Sequence, residues 1–174
     1  MNYIFSAIFL YFFLGFLLYI FQRRIVFNKS GHPGAPKDYN LDNTEEVYIK
    51  TEDNLKLLSW YHKGNNSLPL LVYFHGNSFH IGDRAYRIQR YIEKNWSVLL
   101  VSWRGFGGNK GNPTEKNLYK DAEAVLKWIK NNTEFKFKEL VIYGESLGSG
   151  AAVEMGTKYE FLSIVLEAPF TSIN

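Results

Sequence analysis

LVIYGESLGSGAAVEMGTKY (140–159) decides the fold. Leu140–Tyr143 is a short apolar run of the kind that a parallel sheet buries on both faces. From Ser149 to Tyr159 small residues dominate, which suits a helix packed closely on that sheet. Between the two stands Gly144-Glu145-Ser146-Leu147-Gly148. A bare G-x-S-x-G arises often by chance. Placed directly after a buried strand and directly before a helix, it describes a strained turn that presents the Ser146 hydroxyl above the sheet. Gly144 and Gly148 are needed because neighbouring backbone crowds such a turn, and the helix amino terminus favours developing negative charge. The bland alternative is a glycine-rich turn with a passive serine.

Outward from this stretch the same alternation recurs. Leu68–Phe74 and Ser97–Trp103 are buried strands upstream, and Ser163–Leu166 is a fourth downstream. Ile81, Ala85, Ile88 and Ile92 repeat at helical spacing, with Arg84, Arg87 and Arg90 on another face, read as solvated. Thr114 is a good N-cap for a helix carrying Leu118, Ala122, Val125 and Ile129 on one face. Asp121 and Glu123 on that helix read as groups for solubility and helix-end electrostatics. Arg104, leaving a strand, reads as a structural hydrogen-bonding group. Glu46–Lys50 and Asn54–Tyr61 read as a hairpin turning at Glu52-Asp53-Asn54. The expected class is α/β, a mostly parallel sheet with helices on both faces.

His75-Gly76-Asn77 follows the first buried strand. Gly76 lets the loop bend so that a backbone N–H faces the Ser146 turn. An oxyanion hole needs one such donor together with the N–H of the residue after the nucleophile, here Leu147. His75 itself reads as part of the loop's structure rather than as a general base.

FHGN (74–77), RGFGGNKGNP (104–113), Glu115, DAEAVLKWI (121–129), GESLG (144–148) and LEAPF (166–170) together resemble the α/β-hydrolase superfamily, and within it the serine hydrolases with one N-terminal membrane anchor. The resemblance covers nearly all of 45–174. It implies Ser146 as nucleophile and the backbone N–H groups of Asn77 and Leu147 as the oxyanion hole. Three positions depart from the pattern: Ser78-Phe79 where a smaller pair is common, Asn109 where Ser is usual, and Asn54 where Gly is usual. The first is expected to narrow the acyl pocket.

The first 21 residues contain no Lys, Arg, Asp, Glu or His, and Tyr3 to Phe21 is apolar except for Ser6 and Gly15. As a helix this run is close to the ~30 Å hydrocarbon thickness of a bilayer. The expected organisation is a transmembrane helix over 1–21, a juxtamembrane linker over 22–44 with its Gly- and Pro-rich part at 28–40, and a partial hydrolase domain over 45–174. Arg23, Arg24, Lys29 and Lys37 follow the run, so the positive-inside rule places the domain on the cytoplasmic side.

Other classes recede. The net charge is +3, too mild for a nucleic-acid footprint, and Trp60, Trp96, Trp103 and Trp128 read as packing residues. There is no cysteine, so a thiolate metal site and a cysteine nucleophile are excluded. No histidine–carboxylate cluster has ligand spacing, and no metal or cofactor is expected.

In this fold the triad runs Ser, then Asp or Glu, then His. All four histidines (32, 62, 75, 80) precede Ser146, and no Asp follows it. The resemblance implies that two further strands bring the acid and the histidine. Two readings follow. One is a membrane-anchored hydrolase of an acyl ester, thioester or amide, lipid-like substrates included, truncated or completed by a second polypeptide. The other is a non-catalytic remnant or membrane-tethered binding module.

Overall fold

All five residues of the strand Leu70–Phe74 are buried, and they divide between two cores. Leu70, Val72 and Phe74 join one apolar cluster, and Leu71 and Tyr73 join the other. Successive side chains of a strand point to opposite faces, so a strand apolar throughout must be covered on both sides. The computed structural model describes residues 2–29 and 31–170. Its elements are helix α1 (Asn2–Val26), strands β1 (Asn28–Lys29), β2 (Thr44–Lys50), β3 (Lys56–His62), β4 (Leu70–Phe74) and β5 (Ser78–Phe79), helix α2 (Ala85–Ile92), strand β6 (Ser97–Val101), helix α3 (Glu115–Asn132), strand β7 (Leu140–Glu145), helix α4 (Leu147–Lys158) and strand β8 (Ser163–Glu167).

Six strands form one sheet in the order β2-β3-β6-β4-β7-β8. β6, β4, β7 and β8 are mutually parallel, and the β2–β3 hairpin adds an antiparallel edge. Asn54 takes φ +62° in the hairpin turn, a conformation that asparagine tolerates where glycine is usual. α3 and α4 cover one face through Leu118, Ala122, Val125, Ile129, Ala151 and Met155, while Ile81, Ala85 and Ile88 cover the other. Thr114 caps α3, its Oγ1 accepting the Asn117 N–H at 3.2 Å. The chain leaves β4 for β6 on one side and returns to β7 on the other. That reversal opens a crevice at the carboxyl ends of β4 and β7, where open α/β sheets bind their ligands.

α1 contains a span, Tyr3–Gln22, with mean hydropathy 2.4 and none of it buried, so by length and composition it is able to cross a membrane. The stretch read as an irregular linker is instead partly docked on the domain. β1 pairs in parallel with β5, Asn28 opposite Ser78 and Lys29 opposite Phe79. Phe27 is buried edge-on against Phe106, the Tyr39 hydroxyl donates to the Pro33 carbonyl at 2.6 Å, and Leu41 lies in the core. Met1, Ser30 of the linker and 171–174 of the expected domain lie outside the described residues.

Two surface expectations are corrected. Asp121 is fully buried rather than solvated, and it binds Arg104 through Nε at 2.9 Å and a terminal guanidinium nitrogen at 2.7 Å. Burial pushes the Asp121 carboxyl above its ordinary range against the pull of Arg104, whose hydrogen bonds hold the Asp53 carboxyl well below it. Arg104 is thus the structural bonding group expected. Arg84 and Arg87 are not on a solvated face either; only Arg90 of the three is exposed. Trp60 and Trp103 are core residues as read.

Candidate active site

Ser146 links β7 to α4 at φ +46°, ψ −110°, a backbone conformation that costs a non-glycine residue about 1–3 kcal/mol. Neighbouring bonds impose it. The Ser146 N–H donates to the Glu167 carbonyl at 2.8 Å, and the Ser146 carbonyl accepts from the Ser149 N–H at 2.9 Å and the Ser149 hydroxyl at 2.6 Å. Close packing fixes both glycines. A Cβ at Gly148 collides with the Phe74 carbonyl, and one at Gly144 lies 2.6 Å from the Ser149 Cα. The turn is therefore a nucleophile elbow in its geometry, with Leu147 opening the helix behind Ser146.

The His75-Gly76-Asn77 loop leaves β4 beside this elbow. A Cβ at Gly76 lies 3.4 Å from the Ser146 Cβ and 3.2 Å from the Glu145 carboxylate. The two backbone segments that carry the Asn77 and Leu147 N–H groups are therefore neighbours. Phe79 is 54% exposed, at φ +61°. Asn109 staples its loop to the sheet, with Oδ1 accepting the Leu58 N–H at 2.9 Å and Nδ2 donating to the Ser102 and Trp103 carbonyls.

His75 Nδ1–H donates to the Gly76 carbonyl at 2.6 Å, and the ring is enclosed by Trp103 and Phe106. Burial, reinforced by the Arg84 charge, lowers its pKa to about 3, and its Nε2 is buried without a hydrogen-bond partner among the described residues. His80 lies 2.9 Å from the Asp83 carboxylate on the 3₁₀ turn before α2. The Glu167 carboxylate is held by Arg87 at 2.6 Å and by the Tyr143 hydroxyl at 2.7 Å. Among the described residues no cluster of His, Cys, Asp and Glu is arranged to hold a metal ion.

What the sequence reading missed is a second polar layer below the elbow. Glu145 and Glu167 stand opposite each other on β7 and β8, and each is met by one arginine and one tyrosine. Arg84 reaches Glu145 with two bonds, at 2.9 and 3.1 Å, and the Tyr73 hydroxyl adds a third at 2.9 Å. Burial opposes the Glu145 charge, but these donors prevail and hold its carboxyl below the ordinary range. The Tyr73 and Tyr143 rings stack at 4.7 Å. Burial and the adjacent carboxylate push Tyr73 up, and Tyr143 is raised to about 12 for the same two reasons.

Comparison with known proteins agrees with this fold. Residues 66–174 match the model of the family described as serine aminopeptidase, S33 (Hydrolase_4). The chain belongs to this family of α/β-hydrolases. This hydrolase chain is 32% identical over 166 residues to protein Rv2307c of Mycobacterium tuberculosis, covering 91% of this chain and 58% of that one. It is 30% identical over 164 residues to the Saccharomyces cerevisiae membrane protein YNL320W, covering 90% and 57%. Among solved structures it is similar to the Pyrococcus furiosus esterase Pf2001, at 27% identity and a TM-score of 0.68, over 81% of this chain and 56% of the esterase. The chain thus spans a little over half the length of the curated relatives it matches.

Proposed function

We propose that this hydrolase-family chain supplies the nucleophile half of a membrane-anchored serine hydrolase acting on an acyl ester, thioester or amide. The observation that carries the reading is the strained Ser146 turn, packed closely against the Gly76 loop. Ser146 is the nucleophile, and the N–H groups of Asn77 and Leu147 stabilise the tetrahedral oxyanion. Gly76, Gly144 and Gly148 allow the close approaches that this requires. The similar Pyrococcus furiosus protein is an esterase, which favours ester chemistry.

A serine hydroxyl needs a neighbouring base to attack. Since Arg87 and Tyr143 hold Glu167, and the His75 ring lies buried between Trp103 and Phe106, we assign the acid and base to strands laid beyond β8, in the same chain or in a second polypeptide. β8 is the last strand of the sheet among the described residues, and Ile164, Val165 and Leu166 are each nearly 40% exposed. An apolar edge of this kind is a template for a further strand.

Residues 1–174 alone are expected to hydrolyse p-nitrophenyl butyrate no faster than their Ser146→Ala variant, since oxyanion donors and binding leave only about 10³–10⁴-fold over water. Joined to the carboxyl-terminal portion of a relative, the chain is expected to gain turnover that Ser146→Ala abolishes. Robust Ser146-dependent turnover by 1–174 alone would overturn the division of labour and move the search for a base to His75 and His80.

α1 anchors the protein, and the basic residues after its apolar span hold the domain on the cytoplasmic side. The pairing of β1 with β5, which follows the Asn77 loop, supports a substrate reached close to the anchor, such as an acyl-bearing or lipid-like one. Protease added to intact cells should leave the domain uncut; cleavage without lysis contradicts this sidedness.

A further inference from the structure

Arg84 bonds to both chain segments that carry the proposed oxyanion hole. One terminal nitrogen donates to the Ser78 carbonyl at 2.7 Å, one residue beyond Asn77. The other terminal nitrogen and Nε take the Glu145 carboxylate at 2.9 and 3.1 Å, one residue before Ser146. The guanidinium is only 8% exposed, at the junction of the 3₁₀ turn Ile81–Arg84 with α2.

Stability alone gives little reason for this arrangement. Taking a guanidinium and a carboxylate out of water costs several kcal/mol per ion, and a buried pair of this sort often gains nothing over an apolar pair of similar volume. A planar fork that bonds a carboxylate through two nitrogens while the third holds a carbonyl does fix geometry. The Tyr73 hydroxyl completes the Glu145 carboxylate, so that group cannot turn away from Arg84 without losing two kinds of donor. Gly76 lies against both the Glu145 carboxylate and the Ser146 Cβ, so any slack between loop and elbow alters the spacing of the two N–H donors.

We propose that Arg84 is a positioning residue that clamps the Asn77 loop to the Ser146 elbow and so sets the separation of the oxyanion donors. It touches no substrate atom. Its effect is on the transition state, where donors misplaced by a fraction of an ångström lose their hold on the oxyanion, while ground-state binding is spared. This inference rests on the hydrolase reading given above.

The test has two arms, so that the clamp and the hydrolase reading fail separately. In the first, amide hydrogen exchange is measured on the full chain in lipid nanodiscs. Arg84→Met should exchange at least 10-fold faster at residues 76–79, with α3 amides unchanged, and Arg90→Ala should match the wild type throughout. Unaltered exchange at 76–79 overturns the clamp, as does uniform acceleration across the domain. In the second, the chain joined to a relative's carboxyl-terminal portion is assayed with p-nitrophenyl butyrate. Arg84→Met should lose about 10²-fold in kcat with KM within threefold, as expected for loss of one oxyanion donor. Arg84→Lys, which keeps one link, should recover part of that loss. A kcat within threefold of wild type for Arg84→Met overturns the proposal, and so does a Lys variant no better than Met. If the joined wild type shows no Ser146-dependent turnover, the hydrolase reading falls and the exchange arm alone decides the clamp.

Discussion

At the scale of single residues, the chain spends buried polar groups where the chemistry is. His75 illustrates the cost. Its folded pKa of about 3 lies below the ordinary 6.5, because burial and the Arg84 charge both oppose protonation. Between those values the unfolded chain binds a proton that the folded chain does not. The stability contributed is therefore complete above pH 6.5 and is lost as pH falls through that window, by at most about 1.4 kcal/mol per unit. Thermal melting of the protein in detergent should show a midpoint falling from pH 7 to pH 5. His75→Phe, suited to the Trp103–Phe106 enclosure, should flatten that fall; an equal slope in both proteins would contradict the assignment. The Ser146 turn was legible in sequence because strand, glycine, serine, glycine and helix are contiguous. The roles of Arg84 and Arg87 were not. Their i, i+3 spacing is that of an ordinary polar helix face, and the carboxylates that claim them are 61 and 80 residues away.

Among the elements, the four parallel strands and the long helices were readable because period 2 and period 3.6 leave clear marks over five or more residues. The docked juxtamembrane segment was not readable. β1 and β5 are two residues each, too short for any period, and the Pro- and Gly-rich run between β1 and β2 reads as a loop wherever it packs. The structure uses Phe27 as the peg that seats this segment on Phe106, at a ring separation of 6.4 Å. Removing a buried phenylalanine costs about 3 kcal/mol, through lost transfer energy and the cavity left behind. Phe27→Ala should lower the denaturation midpoint accordingly and expose the 27–41 stretch to limited proteolysis. Wild-type resistance in that variant would mean that the segment is held by other contacts. Through β1 the same peg is linked to the strand that follows the Asn77 loop, so α1 is joined to that loop by paired backbone.

On the scale of the molecule, a span able to cross a bilayer and a connector docked through β1 onto β5 lead into the sheet that carries the Ser146 turn. The fold class followed from alternation alone. A catalytic acid and base could not be assigned from the sequence, because all four histidines precede Ser146 and the chain covers 58% and 57% of two of its relatives. The central claim is that Ser146 is an activated nucleophile in the assembled protein. It is tested most directly by treating native membranes with a fluorophosphonate and mapping the adduct by mass spectrometry. Expected is one phosphonyl group on the Ser146 peptide, absent from Ser146→Ala. An unmodified Ser146, in membranes where another serine hydrolase is fully labelled, would contradict it.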